Sequence, residues 1–318
     1  MSTAESIRAG DIRLASRLIR NLEDKNPRAR EVVKELFPYT GKARVLGLTG
    51  APGAGKSTIT DYLISSYRAT GQRVGVLAVD PTSPFSGGAI LGDRVRMQKH
   101  ALDRGVFIRS LATRGALGGL AAAVDDAVHV LDAMGMDCII LETVGTGQSE
   151  VDVMNNAHSV LLILTPGLGD EVQTLKAGIM EIADLFLINK ADQKGASKLY
   201  QELMRMLNMA QEHHAGWRPP VLLLQNIDHT EEFSEQVEEV RNKIDEHYQL
   251  LLDSDILGQR ERRKARLQLG NSLRASLLDP VIRQLEQSGE MESLVQQIVD
   301  KSSDPHSLAD ELRNRFLR

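Results

Sequence analysis

Apolar residues gather into short runs at positions 45–49, 74–80, 106–110, 138–142, 160–165, 185–189 and 221–224. These runs are apolar throughout instead of alternating, the pattern of strands covered by helices on both faces. Helical spacing fills several of the intervals between them, and such alternation predicts βαβ units and a mainly parallel sheet, an α/β fold. Ahead of the first run, Leu14, Leu18, Ile19 and Leu22 recur at helical spacing behind Asp11, which stands where an N-cap would. That pattern breaks near Pro38 and Gly41. Beyond Asp253 no strand-like run remains, and Asp279-Pro280 and Asp304-Pro305 each read as an N-cap followed by proline in the first turn. The pattern thus divides the chain into an N-terminal helical arm (1–42), an α/β domain (43–252) and a C-terminal helical extension (253–318).

Composition narrows the classes. With 42% apolar and 25% charged residues the chain can bury a core, which excludes disordered and fibrous classes. A formal net charge of −5 offers no general attraction for polyanions, so neither a nucleic-acid partner nor a membrane surface is expected. The one basic run, 260–266, sits among apolar positions at helical spacing and reads as a solvated helix face. No apolar stretch is long enough for a transmembrane helix. Arg8, Arg13, Arg17 and Arg20 could suggest a transit peptide, but Glu5 and Asp11 break its acid-poor pattern, leaving an amphipathic docking helix. The single cysteine, Cys138, lies inside an apolar run; disulfides and Cys-rich zinc sites are excluded, and a cytoplasmic location is expected.

The chemistry begins where the first run ends. Gly50-Ala51-Pro52-Gly53-Ala54-Gly55-Lys56-Ser57-Thr58 satisfies G-x-x-x-x-G-K-[ST] between a strand and a helix. Glycines let backbone N–H groups turn inward around a phosphate, and the helix N-terminus adds partial positive charge. Lys56 is expected to span the β- and γ-phosphates and Ser57 to give Mg²⁺ a hydroxyl oxygen. Two later strands end in Asp80 and Glu142, carboxylates at the sheet edge where nucleotides bind in open α/β folds. Asp93, in a glycine-rich stretch, is a further Mg²⁺ candidate, and Gly145 offers an N–H able to sense a γ-phosphate. After the strand at 185–189, Asn189-Lys190-Ala191-Asp192 matches N-K-x-D. The Asp192 carboxylate can accept from guanine N1–H and its exocyclic amine, whereas adenine N1 would face it with no proton between, so GTP and GDP are the expected nucleotides. On the second base-side loop Gln225-Asn226 lacks the usual Ser/Thr-Ala pattern, and Asn226 is the candidate there.

Longer motifs carry a family resemblance. The stretch from Asp80-Pro81-Thr82-Ser83-Pro84 to Gly92-Asp93-Arg94, then Glu142-Thr143-Val144-Gly145-Thr146-Gly147-Gln148, then Lys176-Ala177-Gly178-Ile179-Met180-Glu181, resemble the MeaB/ArgK GTPases. The resemblance implies a Ras-like G domain with helical flanks, a homodimer formed through the C-terminal arm, and service to an adenosylcobalamin-dependent acyl-CoA mutase by cofactor loading, protection and reactivation. It also implies that Lys56, Ser57, Asp80, Asp93 and Glu142 hold phosphate and Mg²⁺, that Asn189, Lys190 and Asp192 hold the base, and that an additional switch maps to 165–176. On residues alone that segment, with Pro166, Gly167, Gly169 and Lys176, reads equally as a mobile element and as a surface loop.

Small regulatory GTPases orient water with a glutamine after the sensing glycine; here that position is Thr146, and Gln148 comes later. Slow hydrolysis in isolation follows, with partner-induced entry of Lys176 or of Arg94, Arg96 or Arg114. Competing readings are a metal-insertion GTPase, which needs more than His213-His214 and one cysteine, a kinase, which gives no reason for N-K-x-D, and a nucleotide-regulated interaction module.

Overall fold

The computed structural model describes residues 1–80, 98–100, 102–112, 119–143, 154–167, 182–209, 216–225 and 231–316. Seven strands appear where the apolar runs predict them: β1 (Arg44–Gly50), β2 (Val74–Asp80), β3 (Val106–Ala112), β4 (Cys138–Thr143), β5 (Ser159–Leu164), β6 (Leu185–Asn189) and β7 (Val221–Leu224). They form one sheet in the order β3-β2-β4-β1-β5-β6-β7, every neighbouring pair parallel. Strands β1, β4, β5 and β6 are buried along their whole length, which is why their sequences carry no alternation. The chain runs from β1 outward to β2 and β3, returns to β4, and then crosses to β5 on the other side of β1. The carboxyl end of β1 is therefore the topological switch point, the position where such sheets open a ligand crevice.

The arm comprises α1 (Thr3–Arg8), α2 (Ile12–Glu23) and α3 (Pro27–Leu36). Asp11 caps α2 as expected, accepting from the N–H groups of Arg13 at 2.9 Å and Leu14 at 3.0 Å. Ile7, Ile19 and Leu36 are fully buried in a cluster shared with β2, β4 and α5 (Gly119–Ala133), each burial worth about 1.5–3 kcal/mol. The arm is further fastened by Arg109, which pairs with Glu23 and donates to the Ser16 carbonyl at 3.1 Å. Asp132 on α5 accepts from the backbone N–H groups of Gly41, Lys42 and Ala43, fixing the entry to β1. On the other sheet face α4 (Lys56–Ala69) covers β1, β2 and β4 through Ile59, Leu63 and Tyr67, and α7 (Glu231–Asp253) lies against α4, β5 and β7 through Val237 and Ile244; α6 (Ala196–Met209) packs on β5 and β6 from the face that carries the arm.

The chain forms two compact units, Met1–Lys264 and Ala265–Arg318, with α8 (Ile256–Leu273) crossing the boundary. In the basic run, residues 261–263 and 265–266 are exposed as expected of a solvated face, and Arg260 departs from it. Arg260 grips Asp184 with both terminal nitrogens, at 2.6 and 3.0 Å, and Glu261 meets His158 at 3.0 Å; Arg262 and Arg263 are exposed. A bidentate guanidinium–carboxylate pair at a half-buried position outweighs hydration of one arginine. The second unit holds α9 (Asp279–Gln287), α10 (Glu290–Val299) and α11 (Pro305–Phe316), with Leu285 and Leu308 buried. Asp304 caps α11, accepting from the N–H groups of His306 at 2.9 Å and Ser307 at 3.1 Å. Asp279 does not cap: Leu278 before it is already helical, and a π-helical turn over Arg274–Leu278 leads straight into α9. The widened turn accommodates the missing donor and the ring of Pro280 without ending the helix. Among the described residues, no helix is long and apolar enough to cross a membrane.

Candidate functional site

The loop from β1 to α4 is built on two glycines that nothing else could replace. Gly50 has φ 149°, and a Cβ there would lie 2.2 Å from the Ile163 carbonyl oxygen of β5; Gly55 has φ 94°, and its Cβ would lie 2.3 Å from the Asn189 amide nitrogen. Gly55 is also the N-cap of α4 and supplies no side-chain acceptor, and the partial positive charge of this helix end favours an anion. The Lys56 side chain folds back inside the loop, donating to the carbonyls of Gly50 at 2.7 Å and Ala51 at 2.9 Å. A lysine only 7% exposed, its ammonium held by two carbonyls of the loop, is a preset cation for a polyphosphate.

One residue on, Ser57 donates its hydroxyl to Glu142 Oε1 at 2.6 Å. Glu142 projects from β4, the strand paired with β1, and is 5% exposed. Its second oxygen accepts from Thr60 Oγ1 at 2.8 Å, and next to it Thr143 Oγ1 meets Thr49 Oγ1 at 3.0 Å. The motif reading did not single out Thr60; its position three residues after Ser57, hence on the same helix face, was the available signal. Asp80 closes β2, two residues beyond the one aligned with Glu142, which puts its backbone at the same sheet edge. Ser57 and Glu142 fit a magnesium ion by the chemistry of the pair, two hard oxygen donors within hydrogen-bond distance at a phosphate loop. Asp93, Gly145, Lys176 and Asn226 lie outside the described residues, and among the described residues no cluster of three or more His, Cys, Asp or Glu forms a metal-binding group.

The base-side tetrapeptide leaves the carboxyl end of β6. Asn189, 5% exposed, donates its amide to the Ala54 carbonyl at 2.8 Å and accepts from the Lys190 N–H at 2.9 Å. Lys190 takes a left-handed φ of 56° and extends its ammonium to the Gly53 carbonyl at 3.4 Å. Ala191 N–H binds the Leu224 carbonyl at 2.9 Å, so β7 holds the turn from the far side. Asn189 and Lys190 thus brace the phosphate loop, and Asp192 stands exposed beyond them. The structure brings together segments 135 residues apart, with the phosphate loop and the base reader sharing hydrogen bonds.

Away from this edge, at the amino end of the sheet, a polar cluster does structural work. Asp184, besides binding Arg260, accepts from Val160 N–H at 2.9 Å and lies 3.4 Å from His247, whose other ring nitrogen meets Ser159 Oγ at 2.8 Å. Burial pushes the His247 imidazole down to about 4, against a smaller upward pull from Asp184. Cys138 is buried, its thiol raised to about 11 by desolvation, which fits an inert core residue.

A parallel sheet with its switch point at a lysine-centred phosphate loop, and an N-K-x-D turn bonded to that loop, defines a P-loop nucleotide hydrolase of the GTPase class. Comparison with known proteins sharpens this. The family profile described as methylmalonyl-CoA mutase-associated GTPase MeaB matches residues 15–286, and the chain belongs to that family. A putative GTPase of Pyrococcus abyssi is 46% identical over 315 residues, covering 98% of this chain and 95% of that protein. A mitochondrial methylmalonic aciduria type A homolog of Caenorhabditis elegans is 34% identical over 237 residues, covering 73% of this chain and 58% of that protein. Among solved structures, an LAO/AO transport system kinase shares the fold with a TM-score of 0.70 at 22% identity, over 99% of this chain and 97% of that one. The chain is a GTPase.

Proposed function

We propose that this GTPase is a magnesium-dependent, cytoplasmic, homodimeric chaperone for an adenosylcobalamin-dependent acyl-CoA mutase, using GTP hydrolysis to govern cofactor loading and to protect or reactivate the enzyme. The observation that carries the reading is the phosphate loop braced by the guanine-reading turn, in a chain whose family is described by its association with methylmalonyl-CoA mutase. Lys56, Ser57 and the α4 N-terminus would bind the β- and γ-phosphates, and Ser57 and Glu142, with Asp80 and Asp93, would hold Mg²⁺. When bound, magnesium neutralises charge on the phosphate oxygens during transfer to water. Asp192 would select guanine, with Asn226 a candidate on the opposite side, and Gly145 would sense the γ-phosphate. The exposed leucines of the second unit, among them Leu269 at 62% and Leu273 at 49%, favour a second copy as their cover.

Hydrolysis by the protein alone is expected to be slow, because Thr146 occupies the place of a water-orienting glutamine. Binding of the mutase would bring in the missing positive charge from Lys176 or a nearby arginine. Single-turnover GTP hydrolysis with and without the purified mutase of the same cell tests this. Stimulation by the mutase, abolished in Lys176→Ala, supports the reading; fast hydrolysis indifferent to the mutase contradicts it.

A further inference from the structure

Threonine is a poor choice for the interior of a helix packed on a sheet, because its β-branch restricts rotamers and its hydroxyl must find a partner when buried. Thr60 is nevertheless in the first turns of α4, fully buried between Ile59 and the apolar positions Leu63 and Ile64. Its hydroxyl points to Glu142 Oε2 at 2.8 Å, while Ser57, one helical turn earlier, points to Oε1 at 2.6 Å. The two hydroxyls therefore grip the two oxygens of one carboxylate from a single helix face.

We propose that Thr60 is a positioning residue for the metal-binding carboxylate, holding Glu142 by Oε2 so that Oε1 stays aimed at Ser57. The inference rests on the reading that Ser57 and Glu142 bind magnesium. Strand β4 fixes the backbone of Glu142, but its side chain has rotamers that strand pairing does not restrict. Ser57 cannot be relied on to restrain it, since its oxygen is committed to the cation whenever one is bound. Thr60 binds the other carboxylate oxygen, and its donor is sheltered from competing water by the apolar residues around it. Outer hydrogen bonds to a ligating carboxylate set its orientation, and losing one costs about 10–100-fold in metal affinity.

The test follows dissociation of a fluorescent GDP analogue from the full chain across a magnesium titration and in EDTA, for wild type, Thr60→Val and Thr60→Ser. Thermal melting establishes that each variant is folded. The proposal predicts equal release rates in EDTA, a half-maximal magnesium concentration raised about 10–100-fold in Thr60→Val, and recovery to within a few-fold of wild type in Thr60→Ser. It is overturned if folded Thr60→Val follows the wild-type magnesium curve, or if its release is altered equally with and without the ion, the mark of a packing role only. It is also overturned if Thr60→Val does not fold and Thr60→Ser, which retains the hydroxyl, shifts the curve as a lost ligand would. Wild-type release that ignores magnesium sinks the metal reading itself, an outcome distinct from these because it appears before any substitution.

Discussion

Lys56 is held by two carbonyls of its own loop, so its charge is aimed before any phosphate arrives. Lys56→Ala is expected to weaken GDP binding by about 1.5–3 kcal/mol, roughly ten- to a hundredfold in Kd, as fits loss of a charge-assisted bond. At the other end of the nucleotide, Asp192→Asn exchanges an acceptor for a donor–acceptor pair. Isothermal titration should show GDP binding falling by at least about tenfold and xanthosine diphosphate, whose carbonyl replaces the guanine amine, gaining in its place. The phosphate loop and the base reader were legible in the sequence because each packs its chemistry into a few adjacent residues with fixed spacing. Thr60 was not, since its partner is 82 residues away and only the fold of β4 beside α4 brings them together. Arg260 was misread for the same reason: charge patterning shows a cation on a helix but not the Asp184 carboxylate waiting on β6's approach.

Among elements, β4 matters most, since it lies between β1 and β2 and presents Glu142 from a wholly buried strand. Ile140→Ala, at a fully buried site on that strand, should lower unfolding free energy by about 2–5 kcal/mol in urea titrations. Helix α7 and helix α5 impose a pH dependence. His247 and His129 are each held down to about 4, burial being the main cause in both, whereas an unfolded imidazole titrates near 6.5. Between those values the unfolded chain takes up protons that the folded chain refuses, so stability is full above about pH 6.5 and is lost as pH falls toward 4. Melting temperatures at pH 7.5, 6.0 and 5.0 should decline in that order, and His247→Gln should lessen the decline. The seven strands were legible because a sheet covered on both faces writes uninterrupted apolar runs. The continuous path through Arg274–Leu278 into α9 was not: Asp-Pro is a common helix start, and nothing local announces a π-turn that absorbs the proline.

In the molecule as a whole, the Met1–Lys264 unit carries the nucleotide site and the Ala265–Arg318 unit carries exposed leucines. If those leucines meet a second copy, Leu273→Glu combined with Leu277→Glu should convert a dimer to a monomer in light scattering, with GDP affinity unchanged. The most direct test of the central claim is calorimetric titration of the purified chain with GDP and, separately, ADP in magnesium buffer. The account predicts a single saturable site per chain for GDP and at least a hundredfold weaker binding of ADP, as expected where a buried recognition bond is left unmade. Equal affinity for the two diphosphates, or heat from neither, would contradict it.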